Sequence, residues 1–295
     1  MKTKIRLLFF LFLGAFPGFA QDQSHTGDTL DYIFMGHIYK HYTAGDKIDP
    51  RIVQLDMSEY EGIWLGGDVC SEALLRYSTI QYIDSIFDLS SPTTYWALGN
   101  HDARNGNYDW LKEFTARDTY FAHFHKGITA IVMNTNLVPT DCENVDNQYR
   151  MIKKVCDTIQ QSSHLVLIMH SGIWRGIPNL PPPATYAQSD FIYWNANCDS
   201  VNSTFVNAIY PLLKGVKEKG IEIICILGDM GGQHFYMPSV DSIHFMGCGL
   251  SESNVDEVLI FNYIQDQGVM NWQFHNLDSL LSVQQHKAVS SSKNQ

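Results

Sequence analysis

Four apolar stretches of this chain each end in polar side chains that can bind a metal ion. They are residues 62–68, 93–102, 164–170 and 221–229, ending in Asp68, in Asn100-His101-Asp102, in His170 and in Asp229. Apolar runs of this length, bounded by glycine and polar residues, are typical of buried strands. Because open α/β sheets bind ligands beyond the carboxyl ends of their strands, the pattern predicts one site at a shared sheet end. Ordinary polar turns after each strand are the alternative interpretation.

Segments with a helical spacing of apolar residues lie between these strands. They cover residues 71–89, 107–115, 146–162 and 205–219, with further strands at 31–39, 120–124 and 128–134. The last part changes character, with strands at 242–246, 257–263 and 269–274 joined by hairpin-like links. Alternating helices and strands followed by an antiparallel end predict an α/β fold, a four-layer α/β/β/α sandwich of two mixed β-sheets flanked by helices.

The first 20 residues have the composition of a secretory signal peptide. Three basic residues precede an apolar core from Leu7 to Phe16, and small residues lead up to Ala20. The core is too short to span a bilayer, so we expect cleavage near Ala20 and export to the periplasm or the extracellular space. An uncleaved anchor is the alternative. No later run reaches membrane-spanning length, so no membrane span is expected.

The remainder is long enough for one large domain. We expect a flexible segment at residues 21–30, a single domain at residues 31–283 and a polar, flexible tail at residues 284–295. The formal net charge of −11 argues against general binding to nucleic acid, whose phosphates need a positive surface. The sequence leaves the oligomeric state open.

Six cysteines would reach an oxidising compartment after export. Cys142, Cys156 and Cys198 lie in polar surroundings and are the expected bridge formers, with the pairing left open. Cys225 lies inside an apolar strand, which favours a buried free thiol. The sequence contains no Cys-x-x-Cys pair, so a thiolate zinc site is not expected.

Side chains that could hold a dication collect at the predicted strand ends. In chain order they are His37, Tyr39, Asp68, Asn100, His101, Asp102, His170, Asp229 and His234. Carboxylate, amide and imidazole ligands together suit Zn, Mn, Fe or Mg. Two such ions about 4 Å apart can hold a phosphoryl group and lower the pKa of a water between them. The ligand set therefore points to hydrolysis of a phosphate ester.

In these residues the chain resembles the calcineurin-like metallophosphoesterase family, which includes the purple acid phosphatases. Gly67-Asp68 is similar to the Gly-Asp motif of the family, and residues 99–102 are similar to its Gly-Asn-His-Asp/Glu motif. His170 fits the single histidine after the next long strand. The resemblance implies two divalent metal ions bridged by Asp68, with Asn100 and His170 as ligands. It also implies that His101 protonates the leaving group, and we expect Asp102 to orient its imidazole.

The first and last motifs depart from the family pattern. The family opens with Asp-x-His, where this chain has His37 and Tyr39, and it closes with Gly-His-x-His, where we align residues 231–234. That alignment keeps His234 and loses the first histidine, for which Asp229 is a candidate replacement. The expected metal ligands are His37, Asp68, Asn100, His170, Asp229 and His234, with Tyr39 as a further candidate.

A long irregular stretch, residues 171–200, begins directly after His170 and is rich in proline and aromatic residues. Loops of this length in compact domains are usually functional, so we expect a wall of the substrate site. Candidate substrate contacts are Trp174, Arg175 and, from the earlier strand end, Arg104, because guanidinium groups bind phosphate oxygens as planar forks. A passive surface insertion is the alternative.

Two functions remain open from the sequence. The first is an exported metal-dependent phosphoesterase that hydrolyses a phosphate mono- or diester with a metal-activated water. The second is a catalytically inactive protein of the same fold that binds a ligand, such as a glycan, through the aromatic loop from Trp174 to Trp194. A serine hydrolase is disfavoured because the sequence has no Gly-x-Ser-x-Gly elbow.

Overall fold

The computed structural model describes residues 29–40, 45–189, 194–198 and 202–292. The expected signal peptide and residues 21–28 of the expected flexible segment lie outside these ranges. Thr29 and Leu30, the last residues of that segment, already belong to the first strand.

The first sheet contains five of the described strands. They are β1 (Thr29–Met35), β2 (Gly62–Leu65), β3 (Thr94–Trp96), β10 (Glu257–Ile264) and β11 (Val269–Asn276). Their order is β11-β10-β1-β2-β3, in which β1, β2 and β3 run parallel and β10 pairs antiparallel with both β1 and β11. The carboxyl ends of β1, β2 and β3 therefore lie at one edge of the sheet.

The second sheet contains the other six described strands. They are β4 (Phe121–His125), β5 (Ile128–Val132), β6 (His164–Met169), β7 (Glu222–Leu227), β8 (His234–Pro238) and β9 (His244–Cys248). The order is β4-β5-β6-β7-β9-β8, with a parallel centre from β5 to β9 and antiparallel outer strands. Strand β8 was not expected from the sequence.

The two sheets pack face to face, and the alternating side chains of β1 show how each face of its sheet is covered. Successive side chains of a strand point to opposite faces. Tyr32 and Phe34 of β1 lie in an apolar cluster shared by both sheets, whereas Ile33 and Met35 pack against helices. A strand with both faces buried reads as a continuous apolar run, as seen here.

Helices cover the outer face of each sheet. On the first sheet lie α1 (Pro50–Val53), α2 (Tyr77–Phe87), α4 (Tyr108–Thr115) and α7 (Leu277–Ser292), and the short α3 (Asn100–Ala103) follows β3. On the second lie α5 (Cys142–Thr158) and α6 (Tyr210–Lys217), the latter preceded by a π-helical turn at Phe205–Ile209. Short 3₁₀ turns occupy Met57–Glu59 and Pro183–Thr185. The predicted α/β fold, two mixed sheets flanked by helices, is confirmed.

The carboxyl-terminal segment differs from the expected flexible tail, because α7 continues through residues 284–292. Gln284 is buried. Its side-chain oxygen accepts from the Asp56 backbone N–H at 2.8 Å, and its amide nitrogen donates to Glu59 at 3.0 Å. Polar composition alone did not indicate this anchoring.

Two of the six cysteines form a disulfide. It joins Cys142, at the start of α5, to Cys198. Cys225 is a buried free thiol, as expected. The expectation for Cys156 was wrong: this residue is buried and free, because it lies on the face of α5 that packs with Ile152 in the core. Within the described part of the chain, no helix combines the length and apolarity needed to cross a membrane.

Candidate metal centre

Strand ends from both sheets supply the side chains of one buried cluster. His37 lies two residues after β1, Asp68 three after β2, and Asn100 begins α3 just after β3. From the second sheet, His170 follows β6 directly and Asp229 lies two residues after β7. The cluster thus sits where the carboxyl ends of parallel strands meet, as the sequence pattern predicts.

Glycines bring the two sheets into backbone contact beneath this cluster. A Cβ atom added to Gly228 would lie 2.1 Å from the carbonyl oxygen of Gly66, and one added to Gly36 would lie 2.3 Å from the Gly228 Cα. Side chains at these positions would force the sheets apart. His37, directly after Gly36, and Asp68, two residues after Gly66, both have φ of 53°. This left-handed conformation costs energy for residues other than glycine and is common at functional sites.

The cluster brings two carboxylates, two imidazoles and an amide within a few ångströms. Asp68 lies between the imidazoles, with its carboxylate oxygens 3.6 Å from His37 Nε2 and 3.6 Å from His170 Nε2. His170 Nε2 is also 3.9 Å from Asp229 Oδ1 and 3.1 Å from Asn100 Oδ1. Ligand atoms of His37, Asp68 and Asp229 all lie within 4.8 Å of one another. Asn100 is exposed and the other four residues are buried, so the cluster opens to solvent on the Asn100 side.

Both imidazoles direct Nε2 at the cluster, and their other nitrogen fixes this orientation. His170 Nδ1 is 2.8 Å from the carbonyl oxygen of Gly66, and His37 Nδ1 is 3.3 Å from that of Leu250. A carbonyl oxygen only accepts hydrogen bonds, so each Nδ1 donates. In the neutral ring the Nε2 lone pair then faces the carboxylates, an arrangement usual for histidines that bind metal.

The surroundings of His170 favour a positive charge at this position. Burial lowers the pKa of His170, but the carboxylates of Asp68 and Asp229 outweigh it, and the pKa is raised. Burial and Asp68 raise the pKa of Tyr39 to about 12, so its phenol is neutral at pH 7. Oxygen and nitrogen acceptors that face one another in this way fit a bound dication, which would remove the repulsion between them.

The sequence led us to expect that Asp102 orients the His101 imidazole, but its hydrogen bonds go to other groups. Its two oxygens accept from the backbone N–H groups of Asp68, Val69, Cys70 and Gly99, at 2.7 to 3.2 Å, and from the Trp96 indole at 3.1 Å. Burial and the neighbouring Asp68 raise the pKa of Asp102 to about 7, against the lowering effect of these donors. Asp102 is fully buried and holds the loop that carries Asp68, so its role is structural.

His101 lies at the rim of the cluster and has a different partner. Its Nδ1 is 3.3 Å from Ser71 Oγ, and its backbone N–H donates to Asp68 Oδ1 at 3.0 Å. Tyr39 lies between two imidazoles, with ring centroids 4.9 Å from that of His37 and 5.4 Å from that of His101. Sequence reasoning missed Ser71, whose only signal was its position three residues after Asp68.

The structure separates His234 from the cluster. His234 begins β8, its side chain is half exposed, and its ring pairs with Glu257 and packs on Phe274. Gly231 and Gly232, both with positive φ, turn the chain away after Asp229. Asp229, and not His234, therefore lies at the end of β7 beside the cluster. The expectation of a ligand at His234 is therefore not supported by its placement.

The three candidate substrate contacts have different positions. Arg104 is exposed, and its positive charge lowers the pKa of Tyr39 against the larger, raising effect of burial. Arg175 is exposed. Trp174 is only 2% exposed, stacks on Phe235 and donates to the Pro181 carbonyl at 3.1 Å, so it is a core residue and does not line the site.

Comparisons with known proteins give little beyond this geometry. Neither a scan against protein-family profiles nor a search of curated proteins returned a match. A search of solved structures matched wild-type Vps29 of Entamoeba histolytica, in its complex with zinc, at 10% sequence identity and a TM-score of 0.32. The match covers 84% of this chain and 99% of that protein. A TM-score this low carries no weight, and the fold and site stand on the geometry above.

Proposed function

We propose that this protein is an exported, metal-dependent phosphoesterase of the calcineurin-like type that hydrolyses a phosphate mono- or diester. One observation carries the proposal: the Nε2 atoms of His37 and His170 face the carboxylates of Asp68 and Asp229 and the amide oxygen of Asn100 inside a buried cluster. Acceptor atoms arranged in this way can hold a cation, and the residue types suit a first-row dication or Mg²⁺.

The ligand positions support one complete ion site. Strand β7 ends at Leu227, so Gly228-Asp229-Met230-Gly231 is in register with the Gly-His-x-His motif of the resembled family. Asp229 then replaces the first histidine, and glycine stands at the second. Asp68, Asn100, His170 and Asp229 would hold one ion. A second ion would draw on His37 and Tyr39 and would share Asp68 and Asp229 with the first, and so would bind more weakly.

A bound dication would polarise a phosphoryl oxygen and lower the pKa of a coordinated water. The protein side chains contribute the rest of the chemistry. We expect His101, whose Nδ1 lies 3.3 Å from Ser71 Oγ, to give a proton from its other nitrogen to the leaving oxygen. We expect Arg104, whose charge acts on Tyr39, to hold a phosphate oxygen. Asp102 keeps the Asp68 loop in position.

Export remains part of this proposal. The first 20 residues have the composition of a signal peptide, and the Cys142–Cys198 disulfide supports an oxidising compartment. Cleavage near Ala20 would be seen as a mature amino terminus at Gln21 by mass spectrometry of protein secreted from an expressing host. Retention of residues 1–20 in a soluble cytoplasmic product would contradict it.

The test combines metal content with activity. Purified protein is stripped of metal, reloaded with Mn, Zn, Fe or Mg, measured by elemental analysis, and assayed with 4-nitrophenyl phosphate and its bis-ester. We expect about one tightly bound ion per chain, and Asp68→Asn and His170→Gln should lower both metal affinity and activity by ~10²-fold or more. Asp109→Asn, an exposed carboxylate change on α4, is the matched control. Full activity in Asp68→Asn would overturn the proposal.

The alternative of an inactive aromatic-loop binder has lost part of its basis. Trp174 and Trp194, the two indoles at the ends of that loop, are 2% and 7% exposed and belong to the core. Neither offers a face to a glycan. A metal-free, well-folded protein without hydrolytic activity would nevertheless favour a binding role.

A further inference from the structure

The longest edge strand in the described part of the chain is β11, at one end of the first sheet. An edge strand leaves a row of backbone N–H and C=O groups unpaired, which proteins usually protect by short strands, charged side chains or proline. The other three described edges have such protection. Strand β3 has three residues, and β4 and β8 have five each. Pro238 ends β8 without an N–H, and the Arg117 guanidinium donates to the Thr94 carbonyl of β3 at 2.7 Å.

Strand β11 has none of these protective features. Its eight residues, Val269–Asn276, include no proline and no acidic, lysine or arginine side chain. Burial lowers the pKa of its one histidine, His275, which is therefore neutral at pH 7. Every residue of β11 has a partner in β10, so no bulge interrupts the strand. Long, regular and uncharged edges are those to which a further strand can add.

The outward backbone groups of β11 belong to alternate residues. The Leu277 backbone N–H donates to the Asp256 carbonyl at 2.9 Å, so every second residue counted back from Leu277 bonds to β10. Met270, Trp272 and Phe274 therefore direct their N–H and C=O groups away from β10. Among the described residues, these groups have no hydrogen-bond partner. They form a row of alternating donors and acceptors for an added strand.

Two of these residues also line a groove between the edges of the two sheets. The groove has a volume of about 640 Å³, and aromatic rings of β8 and β11 form most of its wall. Tyr236 is 41% exposed, with its ring centroid 5.5 Å from that of Trp272, and the His234 ring lies 4.7 Å from that of Phe274. A strand added to β11 would direct every second side chain into this groove, which favours apolar residues there.

The charge around β11 favours a basic partner. Residues 220–286, which include β7 to β11 and the start of α7, contain eight carboxylates and no lysine or arginine. Asp266 is exposed in the turn before β11, and Asp278 is exposed just after it. Asp278 pairs with Arg51, but that guanidinium is shared with two further carboxylates. An added strand with lysine or arginine at its ends would thus meet net negative charge at both ends of β11.

A second copy of this chain fits the edge less well. Antiparallel pairing of two β11 strands about Trp272 would place Asp266 of one copy opposite Asp278 of the other, since both lie six residues from Trp272. Like charges directly opposite each other are destabilising, and this pair would occur at both ends of the interface. The formal net charge of −11 on each chain adds to the repulsion.

We propose that β11 binds an extended segment of another protein as an added antiparallel strand. The segment has apolar residues at alternate positions, which enter the aromatic groove, and lysine or arginine at its ends. No residue of β11 belongs to the metal centre, so this interaction goes beyond the hydrolysis of a phosphate ester and does not depend on it.

The first test measures binding of a model peptide by fluorescence anisotropy. The probe is a fluorescein-labelled nine-residue peptide in which two lysines at each end flank alternating valine and threonine. The same peptide with glutamate in place of lysine should bind about tenfold more weakly or not at all, and 0.5 M NaCl should weaken binding of the lysine peptide. Equal affinity of the lysine and glutamate peptides would overturn the proposal.

The second test removes backbone donors from the peptide. In an antiparallel pair, the residues whose side chains enter the groove beside Trp272 also direct their N–H groups at β11. N-methylation of the valines should therefore abolish binding, whereas N-methylation of the threonines, whose N–H groups face solvent, should retain it. Equal affinity of the two methylated peptides would show that no antiparallel strand is added.

The third test changes the charge of the edge. Gln273 is exposed on β11, so Gln273→Lys should weaken binding of the lysine peptide about threefold or more, and Gln273→Glu should strengthen it. Gln81→Lys is the matched control, since Gln81 is exposed on α2, which leads from β2 to the opposite edge of the sheet. A loss in Gln81→Lys as large as that in Gln273→Lys would contradict binding at β11.

Hydrogen exchange followed by NMR tests the edge itself. In the free protein, the amides of Met270, Trp272 and Phe274 should exchange faster than those of Asn271 and Gln273, which bond to β10. Saturating lysine peptide should slow the first three by about tenfold or more. Slow exchange of these three amides in the free protein would mean that the edge is already covered, and a dimer seen by light scattering that Gln273→Lys dissociates would assign it to a second copy. Either result would overturn the proposal.

Discussion

The carboxylate of Asp102 accepts the backbone N–H of Asp68 at 2.7 Å, in an interior position with no solvent exposure. The same carboxylate accepts from Val69, Cys70 and Gly99, so it binds the two loops that carry Asp68 and Asn100 to each other. The last residue of the Gly-Asn-His-Asp sequence thus fixes the backbone that carries the candidate ligands Asp68 and Asn100.

Asp102→Asn should therefore destabilise the fold. The new amide replaces an acceptor with a donor, which would face backbone N–H groups, and a loss of about 2–4 kcal/mol in the free energy of unfolding is expected. Urea denaturation measures it, and metal titration should show weaker binding as Asp68 shifts. Asp266→Asn, in the exposed turn between β10 and β11, should leave both quantities unchanged. Wild-type stability in Asp102→Asn would show that this carboxylate does not hold the loops.

Substitution of Asp229 should weaken metal binding, whereas substitution of His234 should not. Asp229→Asn removes a carboxylate 3.9 Å from His170 Nε2 and should weaken metal binding by ~10-fold or more. His234→Gln should not change it, because that ring contacts Glu257 and Phe274 on β8. Competition with a chromogenic chelator measures both affinities. A larger loss in His234→Gln than in Asp229→Asn would restore the sequence-based alignment of the closing motif.

Two glycine-to-alanine changes should have opposite effects on stability. Gly228→Ala places a Cβ 2.1 Å from a backbone oxygen of the other sheet and should lower the free energy of unfolding by about 3 kcal/mol or more. Gly215→Ala, within α6, meets no atom within 4 Å and should stabilise the protein by about 0.5–1 kcal/mol. Thermal and urea unfolding of the two variants provide the comparison. Equal stabilities would mean that the sheets can separate without cost.

His164 should make the protein less stable in acid. Burial lowers its pKa to about 4, whereas an unfolded histidine titrates near 6.5. Between these values the unfolded chain binds more protons, so stability falls as the pH drops through this window, by up to roughly 3 kcal/mol. His164→Gln should show a flatter dependence between pH 7 and pH 4 in urea unfolding, and the exposed His286→Gln should follow wild type. Parallel curves for wild type and His164→Gln would contradict this assignment.

Reduction of the Cys142–Cys198 disulfide should lower stability. The bridge closes a loop across a sequence separation of 56 residues, for which chain entropy gives roughly 4 kcal/mol. Unfolding is measured with and without reductant. The Cys142→Ser/Cys198→Ser double variant should match the reduced protein and show no response to reductant. An unchanged midpoint on reduction would mean that the bridge contributes little.

The sequence predicted the fold and the meeting of Asp68, Asn100 and His170, because parallel strands end at a common edge and each strand could be recognised from its apolar run. It could not place the closing motif. His234 has the right residue type, but the turn at Gly231 and Gly232 is set by backbone conformation rather than by spacing.

Partners distant in sequence account for the other differences. Asp102 receives N–H groups from residues 32 to 34 positions earlier, so its role depends on tertiary contacts. Trp174 was expected to contact substrate, yet it packs on Phe235 from a strand that was not recognised in the sequence. Gln284 anchors α7 through Asp56, more than 200 residues away.

The backbone contact among Gly36, Gly66 and Gly228 gives the metal centre a base made of main chain alone. A side chain cannot be added at these glycines without a clash, so the chemistry of the site can change only through the residues that project from this base. His37, Tyr39 and Asp229 are such residues, and they are also the positions where this chain departs from the motifs it resembles. The packing of the sheets thus confines changes in the chemistry of this cluster to the side chains that project from the glycine base.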